Sequence, residues 1–457
     1  MKVKKEQVHF VGIGGAGMSA LASILLDLNY QVSGSDLKTS KITARLKKKG
    51  ATIFKDHHEN NIKGADLVVI SSAISPDNPE VKGAIKKNIK LIRRAEMLAK
   101  IVEDKKLIAV SGTHGKTTTT SMISLLLEKG GFDPLVLIGG EVNDIGGNAK
   151  MGWGKYAVAE VDESDGSFLK LNPFLAVVTN VEDDHLDYYG SLENIFKNFN
   201  NFIDKVPDDG LVVLSKDCSE ARNLINNCRK RYITYGISTE ADLVAQEIKL
   251  GLLSSTSQIY WQNRKMGELQ LNVAGYHNIS NALASIIVAK EVGMSFEEIA
   301  VALRTFHGVE RRMEVIANLG DEILIIDDYA HHPTEIKVTL KAIRESWKDR
   351  RIIVIFQPHR FTRTKLLAPK FGEAFSDADR IIINDIYSAG EAPIPGISGK
   401  TIFEEIKKIN DEVKYIPSKK ETVDCLGKII QAKDIIVTMG AGDVWTIGQE
   451  LVKKFKE

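Results

Sequence analysis

Two glycine-rich segments could each hold a phosphate. In "VSGTHGKTTTT", residues 110–120, the stretch Gly112-Thr113-His114-Gly115 can bend tightly and aim backbone N–H groups at an anion. The helix that follows adds its positive end. Lys116 supplies a mobile cation for the terminal phosphates of a nucleotide, and the hydroxyls of Thr117 and Thr118 follow, Thr117 in position to ligate magnesium. The match to G-x-x-x-x-G-K-[ST] lacks its first glycine, since Val110 stands there. The second segment, "GIGGAG", satisfies G-x-G-x-x-G with Gly12, Gly14 and Gly17, and Asp36 closes the next strand where a ribose-binding acid would sit. Such a loop grips a diphosphate and not a base, so NAD and a UDP-sugar are both compatible with it.

A nucleotide triphosphate needs a divalent cation with hard oxygen ligands. Glu160, ending "YAVAE", is the natural candidate, and Asp184 and His185 in "NVEDDHLD" follow another strand. The acids Asp162, Glu163 and Asp165 read best as a solvated loop or a helix N-terminus. Further on, "DDYAHHPTEI" gathers Asp327, Asp328, His331 and His332, and "QPHRFTR" offers His359, Arg360 and Arg363, the two arginines one helical turn apart. Guanidinium groups suit carboxylates and phosphoryl oxygens. Zinc is disfavoured, because adjacent histidines diverge and no H-x-x-x-H or cysteine partner accompanies them.

These residues need elements to position them. Short apolar runs alternate with helical stretches along the whole chain, and each polar cluster sits just after an apolar run. That is the pattern of parallel α/β sheets with ligands at the carboxyl ends of strands. At 457 residues the length suits three domains. The expected organisation is three mainly parallel doubly wound sheets over 1–105, 106–312 and 313–457, Rossmann-like at both ends and P-loop-like in the middle. Lys+Arg at 61 against Asp+Glu at 60 leave no basic excess for a nucleic-acid partner. No apolar run is long enough for a membrane span, and Glu6 and Gln7 break up the one stretch that resembles a signal peptide. Three cysteines without a CxxC pair point to reduced thiols and a cytoplasmic setting.

Taken in order, "GIGGAGMSALA", "SGTHGKTTTT", "AEVDESDGSFL", "TNVEDDHLD", "GYHNISNALA", "GVERRMEV", "DDYAHHPTEI" and "QPHRFTRT" resemble the Mur ligases from end to end, including the missing first glycine. The resemblance implies ATP-dependent amide ligation in peptidoglycan precursor synthesis, through an acyl phosphate, with UDP-N-acetylmuramate and L-alanine as substrates and Mg2+ beside ATP. It places the diphosphate at Gly14, Gly15, Ala16, Met18 and Ser19, with Ser71, Ser72 and Ala73 nearby. It places ATP on residues 112–118, with His277, Asn278 and Asn281 towards the adenine and Arg311 or Arg312 at the phosphates. Thr117, Glu160 and His185 match metal positions, while His332, His359, Arg360 and Arg363 match the side where amino acid and acyl phosphate meet. A branch of the family that adds a whole tripeptide resembles "DDFAHHPTAI" at the corresponding place. An oxidoreductase using NAD would leave the second loop and its acids without a purpose.

Overall fold

The computed structural model describes residues 6–142, 147–182, 186–319 and 323–456. Its strands form three sheets, and each sheet arises where β-branched runs too apolar for a surface are covered on both faces.

The first sheet holds β1 (Gln7–Val11), β2 (Gln31–Asp36), β3 (Thr52–Lys55), β4 (Leu67–Ile70) and β5 (Lys90–Arg93) in the order β3-β2-β1-β4-β5. All four of its pairings are parallel. The strand order reverses beside β1, which opens a crevice at its carboxyl end. The glycine loop there leads into the helix Ala16–Asp27, whose Leu21, Ile24 and Leu25 are buried.

The second sheet has ten strands: β6 (Lys106–Ser111), β7 (Leu135–Val142), β8 (Gly147–Lys150), β9 (Tyr156–Glu160), β10 (Leu175–Val178), β11 (Leu211–Ser215), β12 (Tyr232–Gly236), β13 (Leu243–Leu250), β14 (Ser255–Trp261) and β15 (Arg264–Leu271). Their order is β15-β14-β13-β12-β11-β10-β6-β9-β7-β8. β6 lies between β10 and β9, parallel to both. Every residue of β10 and β11 is buried, and each such Val or Leu contributes about 1.5–3 kcal/mol. β6 therefore delivers the loop 112–115 from a rigid centre.

The third sheet holds β16 (Glu314–Asn318), β17 (Ile323–Asp328), β18 (Ile352–Phe356), β19 (Arg380–Ile383), β20 (Val413–Tyr415) and β21 (Asp434–Met439), in the order β16-β17-β21-β18-β19-β20. Only β16 runs antiparallel.

By internal contacts the chain divides into two compact units. The first comprises residues 1–248, 257–271 and 278–306, and the second 249–256, 272–277 and 307–457. The first sheet and the second, apart from residues 249–256 at the ends of β13 and β14, thus share one unit. No helix among the described residues is long and apolar enough to cross a membrane.

Candidate active site

Within the first unit, β6 ends at Ser111 and the chain turns through Gly112 (φ +128°) and Gly115 (φ +80°) into the helix Lys116–Lys129. Both glycines occupy backbone that side chains rarely adopt. A Cβ on Gly115 would lie 2.6 Å from Asn281 Oδ1. The loop is braced from β10's end: His114 N–H donates to Asn180 Oδ1 at 2.8 Å, and Thr179 Oγ1 donates to the His114 carbonyl at 2.5 Å. Asn281 Oδ1 also accepts from Thr119 Oγ1 at 3.1 Å. His114 Nε2 lies 3.4 Å from Glu182 Oε2.

Lys116 folds back over its own loop, with Nζ donating to the carbonyls of Gly112 (2.5 Å) and Thr113 (3.2 Å) and to Glu163 Oε1 (2.7 Å). Glu163 is only 3% exposed, so the expectation of a solvated acidic loop fails at this position. The carboxylate is buried because a lysine and the Ser111 hydroxyl, 3.4 Å away, replace its water. Burial alone pulls the Lys116 ammonium down, but Glu163 and Asp162 raise it above its ordinary value. Glu160 stands in register with Val110 on the neighbouring strand, and its Oε2 accepts the Gly139 N–H at 2.8 Å.

The first loop belongs to the same unit. Gly12 and Ile13 N–H groups donate to the Ser35 carbonyl (2.9 and 3.0 Å), and Gly14 N–H donates to Asp36 Oδ2 at 2.9 Å. Asp36 thus ties down the loop itself. Glu80 is fully buried yet held at about 2; burial opposes ionisation, while His9 Nε2 at 3.7 Å and hydrogen bonds donated by Ser35 and Asn61 overcome it. Met18 and Ser19 bury their side chains, and Ser19 Oγ bonds the Ala16 carbonyl. What this turn offers an anion is the set of first-turn N–H groups, which have no intrahelical acceptor. Ser71, Ser72 and Ala73 follow β4, with Ser72 and Ala73 exposed. Hydrogen bonds tie this loop and Arg94 to the second sheet's domain. Asn148 Nδ2 donates to the Ala16 carbonyl (2.8 Å) and Ser19 Oγ (2.9 Å), and Arg94 Nη2 donates to Asp162 Oδ2 (3.1 Å).

In the second unit, polar residues crowd the carboxyl ends of β17, β18 and β21. Arg311 Nε bonds Asp327 at 2.8 Å, and its terminal nitrogens donate to the carbonyls of Gly440 (2.6 Å) and Gly442 (3.1 Å). Arg312 stands 5.1 Å over the Tyr329 ring and 3.7 Å from Glu335. Burial pushes Asp328 up to about 6 against the pull of Arg312. His332, 2% exposed, caps the helix Pro333–Ser346. His331 lies edge-on to His359, whose ring stacks on Tyr387 (9° between planes) and accepts from Arg363 Nη1 at 3.3 Å. Burial, then Arg363 and Arg360, hold His359 at about 4. Arg360, at φ +72°, pairs with Glu391 at 2.7 Å. Burial, with Arg312 adding, lowers His277 to about 4.

This sequence matches three family models in succession: the Mur ligase family catalytic domain over residues 7–106, the Mur ligase middle domain over 110–289, and the Mur ligase glutamate ligase domain over 311–442. The chain is a Mur ligase. It is 51% identical over 456 residues to the UDP-N-acetylmuramate–L-alanine ligase of Pelotomaculum thermopropionicum, covering 99% of this chain and 98% of the relative. The corresponding ligase of Dictyoglomus turgidum is 49% identical, with 98% and 97% covered. Among solved structures, the UDP-N-acetylmuramate–alanine ligase of Thermotoga maritima superposes with a TM-score of 0.86 at 30% identity over 99% of both chains. A murein peptide ligase of Psychrobacter arcticus shares the fold at a TM-score of 0.74 and 24% identity, covering 98% of both chains.

Within this Mur ligase the first unit brings together Gly112–Thr118, Glu160, Asn278 and Asn281, the latter two both buried. The second unit brings together Arg312, His332, His359, Arg360 and Arg363, with Arg311 committed to Asp327. His277 clusters with the second unit. Asp184 and His185 lie outside the described residues. Sequence reasoning passed over Arg94, Tyr387 and Glu391, and read Glu163 as solvated. Only pairing in space marks them, although the Glu163 acid run and "DIYSAGE" lay at strand ends.

Proposed function

We propose that this Mur ligase joins L-alanine to UDP-N-acetylmuramate with cleavage of ATP to ADP and phosphate. The observation that carries the reading is the presence of two glycine loops in one compact unit, each at the carboxyl end of a parallel strand. An oxidoreductase needs one of them; a ligase that phosphorylates a UDP-sugar's acid needs both. The names of the full-length relatives supply the amino acid.

In this reading the first-turn N–H groups after Gly15 receive the diphosphate, and residues 112–118 receive the ATP phosphates. Lys116 leaves Glu163 for the β- and γ-phosphates, so its charge is screened at rest and released on binding. A carboxylate is a poor electrophile until one oxygen becomes a good leaving group. The sugar's carboxylate oxygen attacks the γ-phosphorus, ADP departs, the alanine amine attacks the acyl carbon, and phosphate leaves. Since two anions must meet, catalysis is mostly charge neutralisation and positioning. The Thr117 hydroxyl and the Glu160 oxygen not used by Gly139 are hard donors that fit Mg2+. That ion, when bound, neutralises phosphate charge. The guanidinium groups of Arg360 and Arg363 suit the amino-acid carboxylate and acyl phosphate. The neutral imidazole of His359, with Nδ1 occupied by Arg363, is held in one orientation.

Phosphate release from ATP, with Mg2+ and UDP-N-acetylmuramate and either L-alanine, glycine, L-serine or the tripeptide, tests this. Release should need the UDP-sugar and be fastest with L-alanine. Release without the sugar, or with tripeptide and not alanine, would overturn the assignment.

A further inference from the structure

The two glycine loops account for a diphosphate and a triphosphate, but the proposed UDP-sugar carries a third anion, its lactyl carboxylate, which must be led from one loop to the other. A cation, Arg94, stands between them. Arg94 is the first residue of the helix Arg94–Ile101, immediately after β5, and so lies at the carboxyl edge of the first sheet, where α/β crevices open. Its guanidinium crosses the first turn of the helix Ala16–Asp27: a Cβ placed on Gly17 would lie 2.8 Å from Nη1 and 3.0 Å from Cδ. On its other side Nη2 donates to Asp162 Oδ2 at 3.1 Å. Asp162 adjoins Glu163 in the chain, and Glu163 Oε1 meets Lys116 Nζ at 2.7 Å. The order in space is therefore diphosphate turn, Arg94, Asp162, Lys116.

The Arg94 and Asp162 side chains are 24% and 39% exposed, which makes their pair one that an incoming anion can displace, since ion pairs open to water contribute little. A planar guanidinium is matched in shape to a carboxylate.

We propose that Arg94 receives the carboxylate of the UDP-sugar in exchange for Asp162, holding it on the ATP side of the diphosphate turn. Arg94 thereby distinguishes an acid-bearing UDP-sugar from its neutral parent. This inference rests on the ligase reading above. It gives Asp162 the role of a resting counter-ion that keeps the guanidinium pointed at the second loop.

The test is calorimetric binding of UDP-N-acetylmuramate and of UDP-N-acetylglucosamine, which lacks the lactyl acid, to full-length protein holding Mg2+ and a non-hydrolysable ATP analogue. In Arg94→Ala the Kd for the acid-bearing sugar should rise about tenfold or more, as for loss of a charge-assisted hydrogen bond. The Kd for the neutral sugar should change less than about twofold. Arg94→Lys, which keeps the charge without the fork, should show a smaller loss confined to the acid-bearing sugar, and it serves if the alanine variant does not fold. Asp162→Asn should bind the acid-bearing sugar at least as tightly as the wild type. Equal weakening for both sugars, no weakening, or a loss in Asp162→Asn as large as that in Arg94→Ala would overturn the assignment of Arg94. Failure of the wild type to bind UDP-N-acetylmuramate would instead strike the ligase reading itself.

Discussion

Glu163→Gln separates the resting role of the Lys116–Glu163 pair from its role during binding. The side chains of Lys116 and Glu163 are 17% and 4% exposed and meet at 2.7 Å. Removing one partner of a buried pair costs about 3–5 kcal/mol. Here Nζ keeps its two bonds to the Gly112 and Thr113 carbonyls, and the glutamine oxygen can still accept, so about 2 kcal/mol is expected. For a unit of this size that lowers the melting temperature by on the order of 4 °C. The second half of the expectation has the opposite sign. A triphosphate supplies the counter-charge that the variant lacks and no longer competes with Glu163 for Lys116. MgATP should therefore stabilise Glu163→Gln more than it stabilises the wild type, and bind it more tightly. Differential scanning fluorimetry with and without MgATP reads both effects. Equal melting of the two proteins without nucleotide, or an equal nucleotide shift, would refute the idea that Lys116 exchanges Glu163 for phosphate.

Other perturbations follow from the same geometry. Lys116→Ala should lose about 3 kcal/mol of transition-state stabilisation, a fall of roughly a hundredfold in kcat/KM measured by phosphate release; near-normal turnover would contradict its place at ATP. Gly115→Ala must adopt φ near +80° and place its Cβ 2.6 Å from Asn281 Oδ1, so it should lose roughly 1–3 kcal/mol of stability and most nucleotide affinity, read by denaturant melts and nucleotide titration. His359, held at about 4 by burial and by Arg363 and Arg360, is neutral when folded but takes a proton near pH 6.5 when unfolded. Its stabilising contribution is therefore full above pH 6.5 and is lost as pH falls towards 4. His359→Gln should flatten that loss by roughly 1 kcal/mol, allowing for partial solvent access, in urea melts from pH 7 to 4. An unchanged pH profile would show that the imidazole is not kept neutral by its surroundings.

Much of this was legible in the sequence because buried parallel strands are written as unbroken β-branched runs. "LIAVSG", "LAVV" and "IIVIF" each became a strand with every central residue buried, and glycine spacing announced both loops. Less apolar pieces went unseen. β5 carries Lys90 and Arg93, and β13–β15 carry the polar runs Gln246–Glu247, Ser255–Gln258 and Arg264–Lys265, so they lacked the signal that marked their neighbours. At the site, residue type gave Lys116, Thr117 and Glu160, whose chemistry is local to a motif. It could not give Glu163 or Arg94, whose meaning comes from partners 47 and 68 residues away in the chain. Asp36, placed where a ribose acid would sit, holds Gly14, since a short carboxylate at the end of β2 finds a loop amide at 2.9 Å. A burial pattern cannot be inferred from charge: the acidic run 162–165 reads as solvated, but a lysine folded over the loop makes a dry carboxylate stable.

The most direct measurement is a crystal structure with a non-hydrolysable ATP analogue, Mg2+ and UDP-N-acetylmuramate bound together. The triphosphate should lie against the backbone of residues 112–118 with Lys116 moved off Glu163, and the uridine diphosphate against the turn that follows Gly15. A triphosphate seated at residues 12–19, with Lys116 still paired to Glu163 and no anion near it, would contradict the division of labour between the two loops.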